Sequence, residues 1–461
     1  MRFLPPALIA AALLAPAVAL AQVGPIAGDW YGDLQAGPNK LPLVFHVQAD
    51  GAASVDSPAQ GALGLKAKAA FADGKATLTL ILPATFEGQL SADGKTLAGN
   101  WLQNGASLPL AMSRTPPAVV PANRPQTPKP PFPYRAEEVS YANPASGLKL
   151  AGTLTLPQGQ GPFPVAVLIT GSGSQDRDET LFEHKPFLVL ADALTRRGVA
   201  VLRVDDRGVG GSERGELKTA TSLDFATDVT AGVAFLRGRK DIDADRVGLI
   251  GHSEGGLIAP IVAAKDPRIA FVVLLAGTGV PGSEVMKTQS RDIALAGGAP
   301  PAQAEEQARL IGEANTVALS EPDLGKVGPR VVALLTERGA PPATAEVQGR
   351  LLSLPWYRAF LTLAPADYLR QVRTPVLAVN GEKDTQVSAS QNLPAIKAAL
   401  TGAKDVTILP LPGLNHLFQT ARTGAPSEYM QIEETIAPSA LTAIVDWTVA
   451  RAGKPPHRQA D

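Results

Sequence analysis

The chain has 461 residues, too many for one ordinary hydrophobic core, so two or three domains are expected. With 45% hydrophobic and 18% charged residues, the composition is globular rather than disordered. A formal net charge of −1 gives no reason to expect nucleic acid or an anionic membrane as partner, and the absence of cysteine excludes disulfides, thiolate catalysis and cysteine-based zinc sites.

Residues 1–21 read as a signal peptide. Arg2 supplies the positive start, Leu8 to Leu14 the apolar stretch, and Ala19-Leu20-Ala21 a small-x-small cleavage site before Gln22. The apolar stretch is short and broken by Pro16, which argues against a membrane span. Cleavage after Ala21 and export to the periplasm or the exterior are expected.

Residues 24–114 form a separate unit. Alternating runs such as Leu43-Val44-Phe45-His46-Val47, Ala76-Thr77-Leu78-Thr79-Leu80 and Thr96-Leu97-Ala98-Gly99-Asn100-Trp101 are separated by the turn pairs Asp50-Gly51, Asp73-Gly74, Asp93-Gly94 and Asn104-Gly105. Such pairs supply the positive φ that tight hairpins need, so a small antiparallel sandwich or barrel is predicted. Trp30 and Trp101 read as core residues rather than a ligand platform. Residues 115–134 carry eight prolines and read as a stiff extended linker.

From residue 135 the texture becomes α/β. Strand-like runs at Glu138–Tyr141, Leu148–Leu156, Val165–Thr170, Val199–Val204, Val247–Ile250, Phe271–Leu275, Val376–Asn380 and Val406–Leu409 alternate with helical stretches at Lys185–Arg197, Leu223–Arg239, Leu393–Leu400 and Ser439–Arg451. The runs are nearly continuous in apolar residues, as in a mostly parallel sheet covered on both faces. Residues 281–370, rich in Ala, Leu, Glu, Gln and Arg, interrupt the alternation and read as a helical lid over the strand ends.

The chemistry centres on Gly251-His252-Ser253-Glu254-Gly255, with a strand run before it and a helical run after. A serine at the apex of so tight a turn is the nucleophile elbow. A serine hydroxyl needs a base, and the base an orienting acid, each beyond the end of a strand. His416 follows Val406–Leu409 and is the expected base. His46 lies in the β unit, His457 in the tail, and His252 faces away from Ser253, while spacing alone leaves His184 open. Asp384 follows Val376–Asn380, with Glu382 as its rival for the acid. The oxyanion donors are assigned to the backbone N–H groups of Ser172, in the loop Gly171-Ser172-Gly173-Ser174, and of Glu254. The Glu254 carboxylate is expected to stabilise the helix N-terminus. Trp356, Tyr357 and Phe360 are expected on the lid side of an acyl pocket, although a helical core stripe accounts for them almost as well. Asp176-Arg177-Asp178-Glu179 and Asp205 to Ser212 read as structural loops at the mouth of the site, the first internally paired through Arg177; neither fits a metal or phosphate site.

The motifs Gly171 to Glu179, Asp206-Arg207-Gly208-Val209-Gly210, Gly251 to Gly256, Asn380 to Asp384 and Gly413-Leu414-Asn415-His416 resemble those of the α/β-hydrolase superfamily over residues 136 to about 452. In detail they are similar to bacterial serine esterases of the dienelactone-hydrolase or prolyl-oligopeptidase-like branch, here with an extra N-terminal β domain. The resemblance implies hydrolysis of a small-molecule carboxylic ester through an acyl-enzyme, with no cofactor or metal. One departure is that Thr170-Gly171 stands where such proteins often have His-Gly. The alternatives are an acylaminoacyl-peptidase-like serine peptidase of the same fold, or a non-catalytic protein that binds through its β domain. The oligomeric state is left open.

Overall fold

The computed structural model describes residues 23–36, 39–57, 62–80, 84–103, 106–116, 122–340, 342–403 and 405–453. The expected signal segment and the Asn104-Gly105 turn lie outside them. The chain divides between residues 119 and 120 into two compact units.

The first unit is a closed antiparallel barrel of eight strands, each paired with the next: β1 (Gly28–Ala36), β2 (Asn39–Val47), β3 (Ala52–Ser57), β4 (Ala62–Ala72), β5 (Lys75–Leu80), β6 (Ala84–Leu90), β7 (Thr96–Gln103) and β8 (Ala106–Ser113). Pairing of β1 with β8, at Tyr31 opposite Ser113, closes it and removes the free sheet edges. The β4–β5 turn places both Asp73 and Gly74 at positive φ, 51° and 76°. Inward residues alternate along each strand, and Trp30, Phe45, Phe86 and Trp101 fill the centre. The Trp30 indole donates to Ile26 O at 2.8 Å, so burial leaves no polar orphan there. Arg114 lies over the Trp30 ring at 4.0 Å from its centre.

The second unit holds an eight-stranded sheet. β9 (Arg135–Ala142), β10 (Lys149–Leu156), β11 (Phe163–Ile169), α1 (Pro186–Arg196), β12 (Ala200–Val204), α2 (Ser222–Arg237), β13 (Ile242–His252), α3 (Gly255–Lys265) and β14 (Val272–Leu275) come first. A helical insertion follows: α4 (Gly282–Ala296), α5 (Pro301–Ser320), α6 (Leu324–Glu337), α7 (Pro342–Leu352), α8 (Pro355–Thr362) and α9 (Pro365–Leu369). Four of these helices begin at proline, whose missing N–H costs nothing in the first turn. The chain then returns through β15 (Val376–Gly381), α10 (Ala389–Ala399), β16 (Val406–Leu411) and α11 (Pro438–Ala452).

The sheet order is β16-β15-β14-β13-β11-β12-β10-β9, with β11 to β16 parallel and β10 antiparallel to both its neighbours. Side-chain alternation splits the apolar strands between two cores. Val165, Val167 and Ile169 join the core containing Leu257, Ile261 and Leu393, while Ala166 and Leu168 join the one containing Leu190, Leu194 and Ile444. Helices α2, α3 and α10 therefore cover one face, and α1 and α11 the other. This is the α/β-hydrolase fold. All eight strand expectations correspond to strands, and the region 281–370 is helical. Among the described residues no helix is long and apolar enough to cross a membrane.

The second half of the proline-rich stretch is fastened rather than free. Arg124 donates to the carbonyls of Phe182, Met430 and Ile432 at 2.7 to 2.9 Å. Gln126 donates to Ile436 O and accepts from the Ile436 N–H. Proline forbids helix and ladder, but it leaves neighbouring side chains free to bind carbonyls nearby.

Phe45 is fully buried and meets Phe86 edge-on at 5.4 Å. Phe45→Ala should cost the barrel about 3–5 kcal/mol, read by urea unfolding. A change below about 1 kcal/mol would contradict its place in the core.

Candidate active site

Strand β13 ends at His252 and α3 begins at Gly255, leaving Ser253 and Glu254 to make the whole turn. A Cβ on Gly251 would lie 2.0 Å from Gly255 O, and one on Gly255 2.1 Å from Ile169 O. Both contacts are with backbone, which cannot swing aside, so only glycine fits. Ser253 has φ +52°, a strained left-handed conformation for a residue with a side chain. Its N–H donates to Leu275 O at 2.9 Å, which fixes the turn to the end of β14.

Asp384 and His416 come from the loops after β15 and β16. The His416 Nδ1 lies 2.8 Å from Asp384 Oδ2, and both side chains are almost fully buried. The other carboxylate oxygen of Asp384 accepts the N–H groups of Gln386 and Val387 at 2.8 Å each. A carboxylate so held accepts the hydrogen bond of an Nδ1–H, leaving the lone pair on Nε2 of His416. Glu382 is exposed and is not a partner of His416. Among the described residues no hydrogen bond joins Ser253 Oγ to His416.

His184 is buried elsewhere, between Thr435 Oγ1, Tyr429 O and Gln419 Nε2, where it braces the 429–435 segment. His46 bridges Asp29 and Asp56 on the barrel.

The loop after β11 lies against the turn: a Cβ on Gly171 would be 3.3 Å from Ser253 Cβ. The N–H groups of Ser172 and Glu254 make no hydrogen bond among the described residues, whereas that of Gly171 is taken by Glu179 Oε1 at 2.7 Å. Two acidic residues at the end of β12 hold this loop. Asp205 binds the Arg177 guanidinium and N–H, and Asp206 accepts from Thr170 Oγ1 and the Gln175 N–H at 2.8 Å. Arg177 thus pairs with Asp205 and Glu138 rather than with its neighbours in the chain, which corrects the expectation of internal pairing.

The Glu254 carboxylate does not cap α3. Its Oε1 accepts from Ser222 Oγ at 2.6 Å and from the Trp356 indole N–H at 2.7 Å. Burial raises its pKa, against those two hydrogen bonds. Trp356 therefore ties the helical insertion to the Ser253–Glu254 turn, and its ring stacks on Phe360 at 5.5 Å. Tyr357 and Phe360 are buried, Tyr357 in the insertion's own core with Ala314, Val331 and Leu352. None of Trp356, Tyr357 and Phe360 lines the cavity next to Glu254, and the apolar faces of Tyr357 and Phe360 are spent on helix packing. That cavity, of about 70 Å³, is bounded by Thr170, Gly171, Asp206, Phe225, Glu254 and Ile258.

A family model described as X-Pro dipeptidyl-peptidase (S15 family) matches residues 146–410, more than half the chain. The chain belongs to the S15 family. The match takes in the turn at Ser253, the insertion and Asp384, and stops before His416. Esterase EstD of Thermotoga maritima is 29% identical over 285 residues, 61% of this chain and 61% of that protein. The S15-family chain thus spans about three fifths of the length of that curated relative. A solved esterase of Pyrococcus furiosus is 16% identical, with 72% of this chain and 97% of that one covered and a TM-score of 0.44. A dienelactone hydrolase from Anabaena variabilis is 17% identical, covering 69% of this chain and 97% of its own, with a TM-score of 0.38.

Two residues beside the S15-family turn were not legible as partners from spacing. Glu179 Oε1 lies 2.9 Å from His252 Nδ1, and His252 Nε2 lies 3.1 Å from His416 O. The available signal was an acidic residue eight positions after Gly171 and a histidine next to the serine.

Burial, and after it the nearby Glu179 and Glu254 carboxylates, pushes Asp206 up to about 7, against hydrogen bonds from Gln175 and Thr170. An unfolded aspartate titrates near 4. Between those values the native state keeps a proton that the unfolded chain releases, so this group's contribution falls as pH rises from about 4 to about 7 and is level above that. Urea unfolding across this range should show a shallower fall in Asp206→Asn than in the native sequence. Equal slopes would remove Asp206 as the cause.

Proposed function

We propose that the protein is a serine hydrolase cleaving small carboxylic esters through an acyl-enzyme intermediate. The observation that carries this reading is the buried 2.8 Å bond between His416 Nδ1 and Asp384 Oδ2, beside a strained serine turn with two free backbone N–H groups. In this reading His416 Nε2 takes the proton from Ser253 Oγ as the oxygen attacks the ester carbonyl. Asp384 holds the imidazole tautomer and stabilises the imidazolium. The N–H groups of Ser172 and Glu254 receive the developing oxyanion, a task that requires donors fixed before the charge appears. Collapse expels the alcohol with the proton from His416, and water then releases the acid by the same route in reverse.

The ester preference is supported by the likeness to esterase EstD. The family description favours a second reading, cleavage of X-Pro peptides. Parallel assays on p-nitrophenyl esters of increasing chain length and on an aminoacyl-prolyl anilide separate the two. The esters should be turned over in preference to the anilide, and Ser253→Ala should lower kcat by about 10⁴-fold or more. Full turnover in that variant, or a preference for the anilide, would reject the esterase assignment.

Export to the periplasm or the exterior belongs to the same proposal, on the strength of the charged start, apolar run and small-residue site in residues 1–21. Fractionation followed by N-terminal sequencing should find a chain beginning at Gln22 outside the cytoplasm; a full-length cytoplasmic product would reject it.

A further inference from the structure

Glu179 and His252 have no part in the chemistry just described, yet they are almost fully buried within the site, at 1% and 5% exposure. Glu179 holds φ +52°, so its backbone carries strain as that of Ser253 does. One oxygen, Oε1, receives the Gly171 N–H and faces His252 Nδ1, while His252 Nε2 faces the carbonyl of His416. The two imidazoles lie 4.8 Å apart, centre to centre. A single pair of side chains therefore touches the loop after β11, the end of β13 and the loop carrying the proposed base.

The partners decide the protons. A carbonyl only accepts, so His252 Nε2 carries a hydrogen. A neutral imidazole has one hydrogen, which is then already used. The short Nδ1–Oε1 contact needs another proton, which the ion-pair form places on the imidazole. Phe187, Leu190, Leu417 and Phe418 surround the pair around a cavity of about 20 Å³, so little water screens it. Burial opposes the charge on His252, but the Glu179 carboxylate raises its pKa above the ordinary histidine value. The titratable groups facing His252 are Glu179 from the β11 loop, Asp384 from the β15 loop and His416 from the β16 loop.

We propose that Glu179 and His252 form a buried ion pair of positioning residues, which sets where the His416 loop and the Gly171 loop stand around Ser253. This rests on the reading of His416 as the base. The pair does not touch substrate. It holds the base from behind, through its backbone carbonyl, while Asp384 orients the ring. It also places a positive charge next to that ring, 4.8 Å away from centre to centre.

The test is steady-state kinetics on p-nitrophenyl acetate over pH 5–9 for Glu179→Ala, Glu179→Gln, His252→Ala and Ser253→Ala, with ¹⁵N-histidine spectra of the native protein and Glu179→Gln. The alanine variants at 179 and 252 should lose about 100-fold in kcat, the loss expected from a displacement of about 1 Å, with KM nearly unchanged. Glu179→Gln, whose amide oxygen can still accept from the Gly171 N–H, should recover part of kcat, while the acid limb of its kcat/KM profile moves to higher pH. The native spectrum at pH 7.5 should contain a doubly protonated imidazole that is absent from Glu179→Gln. If Ser253→Ala is inactive and the 179 and 252 variants lose only thermal stability, with kcat and the acid limb unmoved, the positioning role is overturned and the hydrolase reading stands. Should the alanine variants fail to fold, Glu179→Gln and the spectra decide, and a neutral His252 in the native protein overturns the ion pair. Turnover surviving in Ser253→Ala overturns the nucleophile assignment and this inference with it.

Discussion

Two backbones approach so closely at Gly251 and Gly255 that no side chain can stand between them. A Cβ at either position would fall about 2 Å from a carbonyl oxygen of the facing backbone. Overpacking of even a methylene in a dense interior is destabilising, and here the obstacle is main chain rather than a rotatable side chain. Because the helix starts within two residues of the strand's end, Ser253 is pressed into positive φ. The parallel sheet supplies the rest: β11, β13, β15 and β16 all end on the same edge, so their loops meet there.

Loops meeting at an edge still have to be held. Acidic side chains do this throughout the site by accepting from main-chain or side-chain groups of their own or another loop. Asp205 and Asp206 hold the loop after β11, Glu179 holds Gly171, and Asp384 gathers its own following turn as well as His416. A carboxylate can accept several hydrogen bonds, so one residue can fix several directions at once. Glu254 extends the same device to the insertion, with Trp356 from α8 and Ser222 from α2 on one oxygen. Its N–H makes no hydrogen bond among the described residues, while its carboxylate is taken by those two side chains. The orientation of the turn and the seating of the insertion therefore depend on a shared residue.

The barrel in residues 28–113 follows a different logic, in which each strand needs only its sequence neighbour. Tight turns such as Asp73-Gly74 suffice to set the register, and closure of β1 on β8 follows from eight strands of alternating pattern. Its histidine, His46, is occupied by Asp29 and Asp56, and its tryptophans fill the interior.

What the sequence determined by itself was local or periodic. The eight strand runs of the second unit, the helical character of the insertion, the hairpin turns and the strand–serine–helix turn are each set by neighbours within a few residues, where sterics and hydrophobic alternation act directly. The pairing of Asp384 with His416 was legible because each follows its strand's end and few rivals exist. Tertiary structure alone decided the partners of isolated charges. Nothing within reach along the chain ties Glu179 to His252, Arg177 to Asp205, or Glu254 to Trp356. Each is a contact between loops far apart in sequence, and its formation depends on burial that removes water as a competitor. The same reason separates Trp356 from Tyr357. Consecutive residues on a helix point about 100° apart, and only the packing of α8 decides which one reaches the site and which joins the core.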